Sequence, residues 1–168
     1  MKKQVEYIRR NLKYISPWKW MTGAKALYRR LSRSGILWSR TELPMCSLHP
    51  VQKVDRIVEL VNPRSILDVG CGTGKTTVYL HQRGFDVLGV EASGIAIRNS
   101  DRPDLIQRHD LRVPLVLNKW FDLVWCFEVA EHIHPKFVEI FVDSLARHSD
   151  VIALSAAMPG HGGEVHFD

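Results

Sequence analysis

From residue 51 onwards, two patterns of apolar positions alternate along the chain. Short, continuous apolar runs predict buried strands at Ser65–Val69, Asp86–Val90, Leu105–His109, Phe121–Phe127 and Val151–Ser155. Apolar residues at helical spacing predict helices over Val51–Val61, Lys75–Arg83, Gly94–Ser100 and Pro135–His148. Such alternation is typical of βαβ units, so we predict an α/β domain whose parallel sheet binds ligands beyond the carboxyl ends of its strands.

The first forty residues have a different pattern and a different charge. They hold eleven Lys and Arg residues and one acid, whereas residues 41–168 hold twelve basic and seventeen acidic residues. Apolar residues at helical spacing from Val5 to Ile15 predict a basic amphipathic helix, and Ala24–Leu31 predicts a second one. We therefore divide the chain into a basic, aromatic-rich helical arm (1–48) and one globular domain (49–168).

The arm also carries three of the five tryptophans, Trp18, Trp20 and Trp38. Basic and aromatic side chains together suit covering a substrate, lying on an anionic membrane surface, or contacting nucleic acid. The alternative is a solvated helix pair whose tryptophans pack on the domain.

Composition excludes several other classes of protein. No stretch approaches the roughly 20 apolar residues of a membrane span, and the N-terminus lacks the apolar segment of a signal peptide, so we expect a cytoplasmic location. Cys46, Cys71 and Cys126 lie far apart without metal-binding or redox spacing, which predicts no disulfide framework. The eight histidines have no partners at a known ligand spacing, so no metal site is predicted.

The segment from Ser65 to Thr76 predicts a buried strand, a glycine turn and the start of a helix. Dinucleotide binding by G-x-G-x-x-G needs a glycine where the chain has Lys75. The phosphate loop of nucleotide hydrolases needs a glycine where the chain has Val69. A phosphate-loop-like nucleotide-binding protein stays open as an alternative, as does an ordinary turn between a strand and a helix.

The remaining pattern, Asp68-x-Gly70-x-Gly72-x-Gly74, resembles the first motif of class I S-adenosylmethionine-dependent methyltransferases. The resemblance covers roughly residues 51–168. It implies that Asp68 positions the methionine end of the donor. It also implies that the backbone at Gly70, Cys71, Gly72 and Gly74 approaches the donor closely.

Two further segments fall where this family binds its donor. Glu91 ends the second strand twenty-one residues after Gly70, where a carboxylate can accept hydrogen bonds from both ribose hydroxyls. The resemblance implies that Ala92 lies at the adenine edge, that Asp110 receives the adenine amino group and that Leu111 packs on the ring. Ser93 is predicted to cap the next helix, and a simple turn or cap role for Asp110 is the competing interpretation.

The stretch from Phe121 to Ile133 is similar to the family's signature around the fourth strand. The resemblance places Phe127, Glu128 and Val129 beside the donated methyl group. His132 is the candidate general base, because its unperturbed pKa of about 6.5 suits proton transfer near neutrality. The alternative is that Glu131 and His132 only orient the loop and the acceptor.

The family's fold implies a Rossmann-like three-layer sandwich with strand order 3-2-1-4-5. Ser155 to His166 resembles a loop after which two more strands and a helix follow in a subset of small-molecule methyltransferases. We therefore expect a fragment or natural truncation, or an oligomer in which another chain covers strand five.

The predicted function is in-line methyl transfer from S-adenosylmethionine to an unidentified acceptor, expected to be a small molecule, with S-adenosylhomocysteine as the product. The alternative is a truncated, non-catalytic remnant that binds the donor or a partner.

Overall fold

The computed structural model describes residues 50–157, so the predicted arm (1–48), its helices and its membrane or nucleic-acid contacts lie outside the described residues. Five strands form one sheet: β1 Ser65–Val69, β2 Asp86–Glu91, β3 Ile106–Arg108, β4 Leu123–Phe127 and β5 Ile152–Ser155. Four helices accompany them: α1 Val51–Val61, α2 Lys75–Gln82, α3 Gly94–Arg98 and α4 Val138–Ala146. Short 3-10 turns occur at Pro103–Leu105, Ala130–His132 and Pro135–Phe137.

All strand pairings are parallel, and the order β3-β2-β1-β4-β5 confirms the predicted topology. The chain therefore runs from β1 outwards to β3 and then returns to the other side of β1 with β4. Ligands of such sheets bind where the order reverses, outside the carboxyl ends of the strands. In this protein that place is the crevice between the segments that follow β1 and β4.

The two faces of the sheet are covered by separate apolar cores, which confirms the three-layer architecture. Side chains alternate along β4, so that Leu123 and Trp125 face one way while Val124 and Cys126 face the other. The first face packs against α1 through Val54 and Val58, and the second packs against α4. The members of the second core from α4 are Phe141, Val142 and Leu145.

β4 begins at Leu123, two residues later than predicted, and the side chain of Asp122 just before it hydrogen-bonds to the start of β1. Its Oδ2 accepts hydrogen bonds from the backbone N–H groups of Arg64 (2.8 Å) and Ser65 (2.9 Å) and from the Ser65 hydroxyl (3.1 Å). These bonds hold the pKa of Asp122 below its usual range. The side chain thus fastens β1 to β4 at the amino ends of the strands, away from the crevice.

The predicted helix from residue 135 divides into the 3-10 turn Pro135–Phe137 and α4, which ends at Ala146. His148 lies beyond α4 and is fully buried. Its Nδ1 lies 2.6 Å from the Ser144 carbonyl, and its Nε2 accepts from the Leu117 N–H at 3.0 Å. This neutral ring therefore ties the segment before β4 to the end of α4.

Within residues 50–157, no helix is long and apolar enough to cross a membrane. Cys71 and Cys126 are free thiols.

Candidate functional site

The loop after β1 has backbone angles that favour glycine. Gly70, Gly72 and Gly74 have φ values of 74°, 58° and 75°. A Cβ on Gly70 would lie 2.3 Å from Cγ2 of Val129, and one on Gly74 would lie 2.7 Å from Cδ1 of Ile106. Gly70 therefore requires glycine for space as well as for conformation, whereas Gly74 requires it mainly for conformation, because the end of the Ile106 side chain can shift.

Hydrogen bonds fix this loop against the end of β2. The N–H groups of Gly70 and Cys71 both donate to the Val90 carbonyl, at 2.8 and 3.2 Å, and Gly74 N–H donates to the Cys71 carbonyl at 2.9 Å. The loop backbone is therefore held in one shape before any ligand arrives.

Asp68 is a buried carboxyl group beneath the loop. Its Oδ2 accepts a hydrogen bond of 2.6 Å from the hydroxyl of Thr77 in α2. Burial, reinforced by the nearby charge of Glu91, raises the pKa of Asp68 from 3.8 to about 7, although the Thr77 bond opposes the increase. The folded protein therefore holds a carboxyl group that a cationic ligand would help to ionise.

Glu91 extends from the end of β2 towards the glycine loop. Its Oε2 accepts from the backbone N–H of Gly72 at 2.9 Å, and its Oε1 accepts from Ser93 N–H at 2.7 Å. Burial raises the pKa of Glu91, and the two backbone bonds counteract this. Glu91 thus contacts the glycine loop, as the interpretation of the sequence requires.

Two hydroxyl groups at this site were not assigned from the sequence. Thr77 holds Asp68, and its position on the first helical turn after the loop is the signal that could have revealed it. Thr73 is 8% exposed, and its Oγ1 has no hydrogen-bond partner among residues 50–157. A buried hydroxyl of this kind can bond to a ligand in the crevice.

Cys71 is packed against β2. A Cβ on Gly89 would lie 2.8 Å from its Sγ, so the glycine in β2 provides the space for this thiol. Burial, followed by the charges of Asp68 and Glu91, raises the pKa of Cys71 well above its usual value. Cys71 is therefore a protonated packing residue in this structure.

The predicted adenine side lies next to Glu91, because the N–H of His109 donates to the Glu91 carbonyl at 3.0 Å. Asp110 forms an ion pair with Arg112, with 2.5 Å between Nη2 and Oδ2. Burial alone would raise the pKa of Asp110, but the hydrogen bonds from Arg112 outweigh this effect and bring that pKa below its usual value. Leu111 is buried in the core that faces α4.

On the same side, Ala92 is half-buried, and its carbonyl lies 3.3 Å from Nε of Arg108. The predicted cap is confirmed, because Ser93 Oγ accepts from Ala96 N–H at 3.2 Å. The adenine-binding roles of Ala92, Asp110 and Leu111 stay predictions.

The side chains at the end of β4 and just after it point in different directions. The Phe127 ring stacks on Trp125, with 4.1 Å between the ring centroids, and belongs to the core facing α1. Val129 is buried against Gly70, whereas Glu128 is exposed and has a φ of 56°. The structure therefore brings Val129 to the glycine loop and leaves the side chain of Phe127 in the core.

Glu131 and His132 lie in the 3-10 turn that follows Val129. The Glu131 side chain is buried, and its Oε1 accepts from Ala157 N–H at 3.3 Å. His132 is half-buried. The bond to Ala157 is consistent with an orienting role for Glu131, and the role of His132 as a base stays a prediction.

In the part of the chain that the structure describes, no three His, Cys, Asp or Glu side chains are grouped so that they could hold a metal ion.

Comparison with known proteins identifies a family and several relatives of this chain. Residues 38–150, more than half of the sequence, match a family described as a methyltransferase domain. A ubiquinone biosynthesis O-methyltransferase of Rickettsia typhi is 29% identical over an alignment 106 residues long, which covers 58% of this chain and 42% of that enzyme. The chain thus spans about two-fifths of the length of this curated relative.

Solved structures share the fold. The sugar N-methyltransferase KedS8 from Streptoalloteichus superposes with a TM-score of 0.56 and 23% identity over 88% of this chain and 60% of that one. CalS10, an amino pentose methyltransferase from Micromonospora echinaspora solved with bound S-adenosylmethionine, superposes with a TM-score of 0.55 and 21% identity. The match covers 84% of this chain and 59% of that one.

Proposed function

This chain belongs to the methyltransferase-domain family, and we propose that it transfers a methyl group from S-adenosylmethionine to a small-molecule acceptor, releasing S-adenosylhomocysteine. The resemblance to class I methyltransferases that the sequence indicated is thereby confirmed. The observation that carries the proposal is the contact of the Glu91 carboxylate with Gly72 N–H, which joins the two predicted halves of a donor site.

The residues present fit this donor, which has an ammonium group at its amino-acid end, a cationic sulfur, a ribose and no phosphate. Buried Asp68 favours a positively charged partner, and Glu91 can exchange backbone bonds for bonds from ribose hydroxyls. The buried hydroxyl of Thr73 is a further donor for the amino-acid end. Lys75, the lysine that a phosphate loop would direct at its ligand, has an exposed side chain.

When bound, S-adenosylmethionine supplies a methyl carbon on a cationic sulfur, to which the acceptor's lone pair bonds as the carbon–sulfur electron pair returns to sulfur. The glycine loop and Val129 hold one wall of the crevice in a fixed position. Such alignment of reactants can contribute about 7–11 kcal/mol to the lowering of the barrier.

His132 is proposed to accept a proton from acceptors that must lose one. Its place in the turn directly after Val129 supports this role, because Val129 contacts the glycine loop. The competing proposal is that Glu131 and His132 only orient the acceptor.

A small-molecule acceptor is supported by three of the similar proteins, which are a ubiquinone biosynthesis O-methyltransferase, an amino pentose methyltransferase and a sugar N-methyltransferase. A cytoplasmic location remains part of the proposal.

Isothermal titration with S-adenosylhomocysteine tests donor binding. We expect Glu91→Ala and Asp68→Ala each to weaken binding about 10- to 100-fold, because each removes a hydrogen-bonding charged group. Asp86→Asn is the matched control, since Asp86 is an exposed carboxylate at the other end of β2 that pairs with Lys119. Wild-type affinity in the Glu91 variant would refute the proposal.

Turnover is tested by following S-adenosylhomocysteine formation over a panel of amines, phenols and sugars. Product formation supports the enzyme, whereas donor binding without turnover on any acceptor favours the non-catalytic alternative.

A further inference from the structure

We propose that Glu128, held by Ser155 of β5, is the residue that faces the methyl acceptor and accepts a hydrogen bond from the N–H or O–H group to be methylated. The inference rests on the proposed function and adds the acceptor class: an amine or a hydroxyl compound. It also moves Glu128 from the donor contacts expected from the sequence to the acceptor side.

The position of Glu128 follows from the sheet. The strand order reverses between β1 and β4, so the loops after these two strands bound the same crevice. Gly70 follows β1, and Glu128 follows β4. The neighbour of Glu128, Val129, packs directly against Gly70. Glu128 is therefore one residue away from the loop that binds the donor.

The backbone of Glu128 is strained in a way that its local structure does not explain. Among the described residues, two that are not glycine have positive φ: Asn62 at 50° and Glu128 at 56°. Asn62 ends α1 in the left-handed conformation common at helix ends. Glu128 ends a strand, and conformations of this kind persist at functional sites where surrounding contacts enforce them.

Those contacts come from Ser155. The N–H of Glu128 donates to the Ser155 carbonyl at 3.0 Å, and the Ser155 hydroxyl donates to Oε1 of Glu128 at 2.6 Å. Both backbone and side chain of Glu128 are thus positioned by the end of β5. The carboxylate remains exposed between two buried neighbours, Phe127 and Val129.

The charge of Glu128 is available to a ligand. Among residues 50–157, no lysine or arginine forms an ion pair with this carboxylate. An ionised carboxylate accepts hydrogen bonds and has no proton to donate, so it selects N–H and O–H groups. A negative group beside the crevice also repels a carboxylate acceptor.

The test compares two donor analogues and needs no knowledge of the acceptor. Sinefungin carries an ammonium group at the place of the transferable methyl, and S-adenosylhomocysteine has nothing there. We expect Glu128→Gln in the full chain to reduce the preference for sinefungin over S-adenosylhomocysteine about tenfold, because a charge-assisted bond is lost. The affinity for S-adenosylhomocysteine itself should stay unchanged.

Ser155→Ala tests the positioning role. It should lower the same preference by a smaller factor, since the carboxylate remains but loses its fixed orientation. Glu139→Gln is the matched control, because it removes an exposed carboxylate of α4 and should leave both affinities unchanged.

An unchanged preference in Glu128→Gln would overturn the inference while leaving donor binding intact. An equal loss of affinity for both analogues would also overturn it, because Glu128 would then support the donor site as a whole. Failure of the wild-type chain to bind S-adenosylhomocysteine would overturn the proposed function together with this inference.

Discussion

The carboxylate of Glu91 and the backbone N–H of Gly72 form a hydrogen bond of 2.9 Å between the end of β2 and the loop after β1. The second carboxylate oxygen accepts from Ser93, at the start of α3. One side chain therefore sets the spacing of the loop after β1, the end of β2 and the start of α3 at the carboxyl edge of the sheet. A ligand hydroxyl that replaces the Gly72 bond meets a carboxylate already oriented by Ser93.

Substitution of Gly70 tests the close contact with Val129. Gly70→Ala should lower the free energy of unfolding by about 2–4 kcal/mol, because the new Cβ overlaps Val129 and the φ of 74° disfavours alanine. Gly84→Ala is the control, since Gly84 has a φ of 89° with no atom within 4 Å of an added Cβ. It should cost only about 1–2 kcal/mol. Urea unfolding measures both, and equal losses would argue against the contact.

The raised pKa of Asp68 makes stability depend on pH. The carboxyl group titrates near 3.8 when unconstrained and near 7 in the folded protein, so between these values the folded state binds a proton that the unfolded state does not. The contribution of Asp68 to stability is therefore present below pH 4 and is lost as the pH rises through about 7. Asp68→Asn should reduce the difference in unfolding free energy between pH 5 and pH 8. An identical difference in the variant would show that Asp68 does not titrate in this range.

Donor binding should release protons, because Asp68 is partly protonated near pH 7 before the ligand binds. The ammonium group of the ligand's amino-acid end, placed beside Asp68, favours the ionised carboxylate, so S-adenosylhomocysteine should bind more tightly at pH 8 than at pH 6. Titration calorimetry at pH 7 in two buffers with different ionisation enthalpies should give different apparent heats. The same experiment on Asp68→Asn serves as control, and equal heats with the wild-type protein would exclude the linkage.

His148 gives the opposite dependence on pH. Burial lowers its pKa below 6.5, even though the bond to Ser144 opposes the shift. The unfolded chain therefore takes up a proton before the folded chain does, and stability should decrease as the pH falls from 7 to 5. We expect His148→Gln to be less stable at pH 7 but to lose less stability on acidification. A wild-type-like loss in the variant would assign the effect to another group.

Asp122 should affect stability without affecting the crevice. Asp122→Ala removes the acceptor of three hydrogen bonds at the amino ends of β1 and β4 and should lower the melting temperature. The affinity for S-adenosylhomocysteine, measured well below the melting temperature, should not change. A weakened affinity would show that the two ends of the sheet are coupled.

The strands and the position of Glu91 could be predicted because both depend on local pattern, whereas the strand order was implied by the resemblance to a known family. Apolar runs mark buried strands, and an acid directly after a strand must lie at the carboxyl edge of a parallel sheet. Ser155 and Thr77 could not be assigned in this way, because each acts on a residue of another element. Ser155 becomes a neighbour of Glu128 only when β5 pairs with β4, and Thr77 becomes a neighbour of Asp68 only when α2 packs on β1.

Side-chain direction was a second limit. Phe127 and Glu128 are consecutive at the end of β4, and the resemblance to the family placed both beside the donated methyl group. The pleat of the strand sends the Phe127 ring towards Trp125, and the positive φ of Glu128 exposes its carboxylate. No rule of composition or spacing indicates where a non-glycine residue will adopt that conformation.

The pairing of β1 with β4 joins segments that lie 57 residues apart, as the bond from Ser65 to Asp122 illustrates. Closing so long a loop costs entropy that is recovered only once the strands are side by side. The wall formed by Gly70 and Val129 therefore does not exist in a chain that has folded only β1, β2 and β3. During synthesis the nascent polypeptide acquires its binding crevice only after β4 has left the ribosome and has been inserted beside β1.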